Sequence, residues 1–168
     1  MIRKILWVLL LGTLVTFAED QATFADLAFT SCMRGTKVGV GGQLGIQYGI
    51  NALTDFELRA VGMNIPEFSR DANGNAVSLN KGSILFLSWY TPYFGDIRPQ
   101  VGAHFGATYQ KGGEIDNVVV DLGAHLRMLF DANDRIRLYF EGAVQAGLGK
   151  DGDFTQTIGG GILLRMGK

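Results

Sequence analysis

Four side chains in the second half of the sequence could do chemistry together: His104, Asp121, His125 and Glu141. Imidazole nitrogens and carboxylate oxygens are suitable metal ligands and can also act as general acids and bases. The competing interpretation is an ion-pair network, because a buried charge needs a partner of the opposite sign. We favour the network and predict no metal site. Besides these four residues, the network would contain Arg127, Arg137, Glu57, Arg59, Arg98 and Arg165.

No residues have the spacing of a nucleophile and its base. A hydrolase needs a nucleophile within hydrogen-bond reach of the base, and no histidine is followed two residues later by serine. The glycine runs at 39–42 and 159–161 are not phosphate loops, since no Lys-Ser/Thr follows them. The single Cys32 can form neither an internal disulfide nor a cysteine-based zinc site. We therefore predict that the protein is not an enzyme and uses no cofactor. The formal net charge of −1 also suggests no nucleic-acid partner.

The elements that must position these residues are strands, because apolar residues recur at every second position from residue 37 onward. One face of these strands has no charged residue, and its only polar side chain is Gln156. The other face carries the charges, both histidines and many glycines. Segment 83–91 is a strand by composition, but both of its faces are apolar. The clearly alternating segments are 37–50, 55–62, 98–110, 117–130, 136–148 and 154–166.

The different polarity of the two faces predicts the kind of structure that the sheet forms. A soluble barrel would place many glycines on exposed strand surface, where glycine weakens a strand. It would also have to fit too many side chains into an eight-stranded interior. If the apolar face meets lipid instead, every backbone group must be bonded and the sheet must close. We predict an all-β fold, a closed antiparallel up-and-down transmembrane β-barrel with charges paired in its lumen. A soluble periplasmic lipocalin-like ligand-binding barrel is the alternative.

The first 18 residues have the layout of a secretory signal peptide. Arg3 and Lys4 precede an apolar run of about 13 residues, too short to span a bilayer as a helix, and small residues follow it. We predict that residues 1–18 are a cleaved signal peptide and that residues 19–168 form the barrel.

Topology predicts eight strands. Seven strands lie between residues 37 and 166, and a single-chain bacterial barrel has an even number. The eighth would be residues 22–32, for which a short plug helix is the alternative. Segment 64–82 holds a hairpin signal at 71–75, whose flanks can extend two strands into a tall hairpin. Aromatic girdles are expected at both ends, with Tyr48, Trp89, Tyr90, Tyr93, Phe94 and Phe130 at one and Tyr109 and Phe154 at the other.

Turn lengths predict which strand positions lie opposite His104, Asp121, His125 and Glu141. Pairing Phe130 with Ile136 would place His125 opposite Glu141. Both histidines and both carboxylates would then share one patch near the middle of the barrel. Pairing Gln110 with Asn117 gives the preceding hairpin, with His104 opposite Gly123 and Asp121 opposite Gly106.

With this strand pattern, residues 22–168 resemble the small OmpX/OmpA-type outer-membrane barrels. The resemblance implies a place in the bacterial outer membrane, with outer-membrane lipid and the barrel-assembly machinery as partners. It implies a structural or surface-exposed role, with a narrow pore for small solutes or ions as the alternative. Members of this family usually end their last strand in an aromatic residue, whereas this chain ends Met166-Gly167-Lys168. The pattern leaves the oligomeric state open.

Overall fold

The computed structural model describes residues 22–92, 98–149 and 152–167, which form one closed barrel of eight antiparallel strands. The predicted all-β up-and-down barrel is therefore confirmed. None of the described residues forms a helix long and apolar enough to cross a membrane. The predicted signal peptide lies outside the described residues. The strands are β1 (Thr23–Arg34), β2 (Lys37–Asn51), β3 (Thr54–Arg70), β4 (Ala76–Tyr90), β5 (Arg98–Gly112), β6 (Ile115–Asn133), β7 (Ile136–Leu148) and β8 (Phe154–Met166).

Closure of the barrel depends on β1. Leu27 on this strand lies opposite Leu44 on β2 and opposite Ile162 on β8, so β1 is bonded along both edges. The predicted strand at residues 22–32 is thus confirmed, and the alternative of a plug helix is wrong. A closed sheet leaves no open edge on which another chain could pair.

The barrel has two distinct ends. The lower end contains the start of β1, the end of β8 and the turns at 51–54 and 133–136. The upper end contains the turns that join β1 to β2, β3 to β4 and β5 to β6, and its β3–β4 hairpin is tall, as its turn signal predicted. The Asp71 carboxylate accepts hydrogen bonds from the amides of Asn73 and Asn75 in that turn. These bonds hold the pKa of Asp71 below its ordinary value, led by those to Asn75.

Strand alternation separates an apolar outside from a mixed inside. The most exposed large apolar side chains include Ile158 at 72% and Phe140 at 68%. Charged side chains such as Arg59 and Arg127 point inward and are buried. Every strand contributes to the outer apolar surface, for example through Leu27, Leu44, Leu58, Phe86, Phe105, Leu122, Phe140 and Ile158.

One member of the predicted aromatic girdles is wrong. Trp89 has no exposed surface and points into the barrel, in line with Leu85 and Leu87. The error has a physical origin, because both faces of β4 are apolar and a period of two cannot tell them apart. Tyr93 and Phe94 lie outside the described residues. The exposed predicted aromatics are Tyr48, Tyr90 and Phe130 near the lower end and Tyr109 and Phe154 near the upper end.

The predicted register is right in one hairpin and wrong in the other. Gln110 lies opposite Asn117 in the β5–β6 hairpin, as predicted. In the β6–β7 hairpin the strands are displaced by two residues from the prediction, so Arg127 rather than His125 faces Glu141. The cause is a tighter turn, in which the Asn133 side chain accepts two backbone N–H bonds and a bulge adjoins it.

Candidate functional site

The middle of the barrel holds five charged side chains that contact one another, which we call the central cluster: Asp26, Glu57, Arg59, Arg127 and Glu141. They come from β1, β3, β6 and β7, so the cluster ties together strands far apart in the sequence. Each has a side-chain exposure of 7% or less. Burial of single charges at this depth would be strongly unfavourable, and their mutual pairing makes it possible.

Arg59 lies between two carboxylates and donates hydrogen bonds to both. Its Nε and Nη2 donate to Glu57 at 2.7 and 3.1 Å. Its Nη1 and Nη2 donate to Glu141 at 2.6 and 3.1 Å. The planar guanidinium suits this two-sided arrangement, because its donors form a rigid fork that matches carboxylate geometry.

Two aromatic rings and two polar side chains contact the Arg127 guanidinium. Its guanidinium carbon lies 4.2 Å from the ring centre of Trp89 and 4.1 Å from that of Tyr139. Its Nε donates to Glu141 at 2.9 Å, and its Nη1 donates to Gln47 at 3.1 Å. Desolvated cation–π contacts of this kind contribute about 2 kcal/mol each. The Trp89 indole N–H donates to Glu57 at 2.8 Å, which satisfies its only donor.

Asp26 completes the cluster from β1. The Tyr139 hydroxyl donates to its Oδ1 at 2.5 Å, and Oδ2 lies 3.5 and 3.6 Å from the nearest nitrogens of Arg127 and Arg59. Oδ2 has no hydrogen-bond partner among the described residues. Three carboxyl groups thus face two guanidinium groups, so neutrality requires one additional proton in or beside the cluster.

The two histidines extend the cluster towards β5. His125 Nδ1 lies 2.7 Å from Glu141 Oε1, and His125 Nε2 lies 2.5 Å from His104 Nδ1. The predicted patch of histidines and Glu141 is therefore present, although through a register different from the predicted one. Asp121 lies apart from it: it accepts a hydrogen bond from Thr108, which is 2.5 Å from Ser83.

Three predicted network residues lie elsewhere. Arg98, Arg137 and Arg165 line a cavity at the lower end, and the first two pair with Asp131 at 3.3 and 2.8 Å. They are partly exposed, since residues near a strand end on the inward face meet solvent at the mouth of the barrel. The other predicted network residues, His104, Asp121, His125, Glu141, Arg127, Glu57 and Arg59, are all buried.

Sequence reasoning missed several members of this site. Asp26 was overlooked because the alternation in β1 is weak, and Trp89 because β4 is apolar on both faces. Gln47 and Tyr139 were passed over because neutral side chains carry no charge signal. The inward parity of Gln47 on β2 could have indicated its place, since it lies on the same face as Lys37.

Interior glycines make room for the large members of the site. Trp89 pairs across the strands with Gly102, where an added Cβ would lie 2.6 Å from the indole ring. His104 pairs with Gly123, where an added Cβ would collide with the imidazole. Glycine is thus required at these positions by the side chain on the neighbouring strand.

The cluster fills the middle of the barrel. The void lined by Arg59, His125 and Glu141 measures about 20 Å³, which is room for a single water molecule. The described residues contain no group of three or more histidine, cysteine or acidic side chains arranged to hold a metal ion. What the geometry offers is a rigid, hydrogen-bonded plug that joins opposite walls.

Comparisons with known proteins identify this architecture. Neisserial surface protein A superposes with a TM-score of 0.65 at 13% identity, covering 87% of this chain and 97% of that one. OprG of Pseudomonas aeruginosa gives 0.58 at 10% identity, covering 86% and 92%. Ail of Yersinia pestis, in complex with the heparin analogue sucrose octasulfate, gives 0.56 at 10% identity, covering 88% and 99%. Neither the family models nor the curated proteins contain a match. The chain therefore has the fold of small outer-membrane β-barrels.

Proposed function

We propose that the protein is an integral protein of the bacterial outer membrane, a barrel plugged by its central cluster, with a structural or surface-exposed role. The observation that carries the proposal is the apolar outer surface, to which all eight strands contribute. Soluble monomers rarely expose apolar patches larger than a few hundred Å². A hydrocarbon environment explains such a surface, and the closed sheet satisfies the backbone within it.

The inside supports a plug rather than a pore. Eight-stranded barrels have interiors about wide enough to be filled by side chains. Here Arg59 and Arg127 link β3 and β6 to Glu141 on β7 through the middle of the lumen. A conducting path would have to break several charge-assisted hydrogen bonds, each worth about 1.5–3 kcal/mol.

Catalysis is not part of the proposal. The histidine pair contacts Glu141, and the Ser83–Thr108–Asp121 chain lies apart from it, so no described serine or cysteine is bonded to an imidazole. The tall β3–β4 hairpin at the upper end is the part best placed for contacts outside the cell, if the lower end faces the periplasm.

A charge placed on the outer surface tests the membrane assignment. We expect Phe140→Lys to lower the free energy of unfolding in lipid vesicles by about 2–4 kcal/mol, because a cation then faces hydrocarbon. In a soluble barrel, the same change at a largely exposed side chain would alter stability by about 0.5 kcal/mol or less. Urea titration of the mature chain in vesicles, followed by heat-modifiable gel migration, measures the difference.

The matched control is Asn73→Lys, which adds the same charge to the exposed upper turn. It should leave stability in vesicles unchanged. The proposal fails if wild type folds equally well in buffer without lipid or detergent, or if Phe140→Lys behaves like Asn73→Lys. Conductance steps of the wild type in planar bilayers would show that the barrel is a pore and not plugged.

A further inference from the structure

A second feature of the interior lies at the lower end, separate from the central cluster. It is a cavity of about 340 Å³ whose described lining residues lie at the mouth of the barrel, and we call it the lower-mouth cavity. Its volume falls within the range of small-molecule sites, about 300–1,000 Å³. Among the residues that line it are Phe24, Asp55, Arg98, Gln100, Arg137 and Arg165.

Gln100, which is one of the lining residues, has an unpartnered side-chain acceptor. The residue is 1% exposed, and its Nε2 donates to Asp55 Oδ2 and to Thr91 Oγ1, both at 2.9 Å. Its Oε1 is buried without a hydrogen-bond partner among the described residues. The reversed amide would bring Oε1 against the Asp55 carboxylate, so Asp55 fixes the orientation. An unpaired buried acceptor is unfavourable, and a hydrogen-bond donor on a ligand would recover that loss.

Three arginines surround the same space. The Arg137 guanidinium lies 4.5 Å from the ring centre of Phe24 and 2.8 Å from Asp131, which holds it in place. Arg98 lies 3.3 Å from the same carboxylate. Arg165 has no side-chain ion pair among the described residues. Asp55 is the only acidic residue in the described lining, which contains three arginines, so this described part of the lining carries a net positive charge.

We propose that the lower-mouth cavity binds a small molecule with an oxyanion group and a separate hydrogen-bond donor. The oxyanion is held by the arginines, whose planar donors suit phosphate or carboxylate. The donor, a hydroxyl or an amine, bonds to Gln100 Oε1. The site does not depend on the central cluster or on the surroundings of the outer surface, so it goes beyond the function proposed above.

Calorimetric titration of the folded chain at pH 8 tests the site with two probes. Glycerol 3-phosphate has a phosphate and free hydroxyls, whereas methyl phosphate has the phosphate alone. We expect saturable binding of glycerol 3-phosphate, about tenfold tighter than that of methyl phosphate, which corresponds to one recovered hydrogen bond. Equal affinities would overturn the role of Gln100, and no saturable binding of either probe would overturn the site.

A pair of variants separates the site from general electrostatic attraction. Arg165→Gln removes a cavity cation and should weaken glycerol 3-phosphate binding about tenfold. Arg135→Gln removes an exposed cation from the turn at the same end, outside the cavity lining, and should change binding less than twofold. Equal weakening in both variants would overturn the proposal. Unchanged gel migration in both variants establishes that they are folded, and titration of the detergent-solubilised protein keeps this test distinct from that of the membrane assignment.

Discussion

Ion pairs of the same chemistry occur in two regions of this barrel, one dry and one wet. In the central cluster, the arginine and carboxylate side chains are between 0% and 7% exposed. At the lower mouth, Arg98, Arg137 and Asp131 are 39%, 27% and 38% exposed. The distances overlap, since Arg59 lies 2.7 Å from Glu57 and Arg137 lies 2.8 Å from Asp131. Geometry alone therefore does not distinguish the two regions.

What differs is the consequence of losing a partner. Water and salt solvate an exposed charge whose partner is removed, so exposed pairs contribute about 0–1 kcal/mol. A buried charge left alone has no such compensation, and breaking a buried pair costs about 3–5 kcal/mol. The central cluster is accordingly expected to fix the arrangement of the strands, whereas the lower mouth can exchange its partners, as a binding site requires.

The largest expected effect is that of Arg127→Met. The change keeps an unbranched side chain but leaves Glu57 and Glu141 with a single guanidinium and removes the cation between Trp89 and Tyr139. We expect the free energy of unfolding to fall by about 3–5 kcal/mol. A chain that starts at residue 19 has Trp89 as its only tryptophan, so urea titration followed by its fluorescence reports on the cluster directly.

The matched variant at the wet pair is Arg98→Met. The same loss of a guanidinium should lower the free energy of unfolding by no more than about 1 kcal/mol. If the two variants are equally destabilised, burial does not distinguish the regions, and the comparison between them is wrong.

A conservative substitution separates the effect of the arginine's charge from that of its side-chain shape. Arg59→Lys keeps the charge but replaces a fork that makes four hydrogen bonds to Glu57 and Glu141. We expect a loss of about 1–3 kcal/mol in the same titration. Arg137→Lys at the lower mouth should change stability by less than about 0.5 kcal/mol, because solvent replaces lost bonds there. Equal effects at both positions would mean that the fork geometry in the cluster is unimportant.

The space around the cluster can be probed with glycines. Gly102→Ala would push a methyl group against Trp89, and we expect a loss of about 1–3 kcal/mol from overpacking. Gly82 faces outward, and an added Cβ there would meet no atom of this chain within 4 Å. Gly82→Ala should therefore raise stability by about 0.4–1 kcal/mol by restricting the unfolded chain. Both variants are measured by urea titration in vesicles, and a neutral Gly102→Ala would show that the interior is looser than described.

The fold was predictable because an apolar outer surface and a largely polar interior require a period of two on nearly every strand. That pattern, with an even strand number, gave the barrel, its closure and the inward direction of Glu57, Arg59 and Arg127. The prediction failed at Asp26, where the alternation of the strand is weak, and at Trp89, whose strand is apolar on both faces. Individual residues there are placed by contacts with distant strands, which a local period does not record.

The strand register within the site was harder to predict than the identity of the residues that form it. The tight turn places Asn133 opposite Ile136, and a bulge between Asp131 and Asn133 then shifts the register by one residue, so that Arg127 rather than the predicted His125 faces Glu141. Bulges depend on local hydrogen bonds, here those accepted by the Asn133 side chain, and turn length alone does not reveal them. His125 still reaches Glu141, because side chains of this length also contact diagonal neighbours.

The salt dependence of the exposed pairs tests the wet region by itself. Asp131→Asn removes the acceptor shared by Arg98 and Arg137 but leaves both arginines in contact with water. We expect a loss of less than about 1 kcal/mol at low salt, and a smaller loss in 1 M NaCl, where screening already weakens the pair. The measurement is urea titration of wild type and variant at both salt concentrations. A loss that persists at 1 M NaCl would show that the lower-mouth pairs are shielded like the central cluster, and that the partial exposure of their side chains does not reflect access of ions.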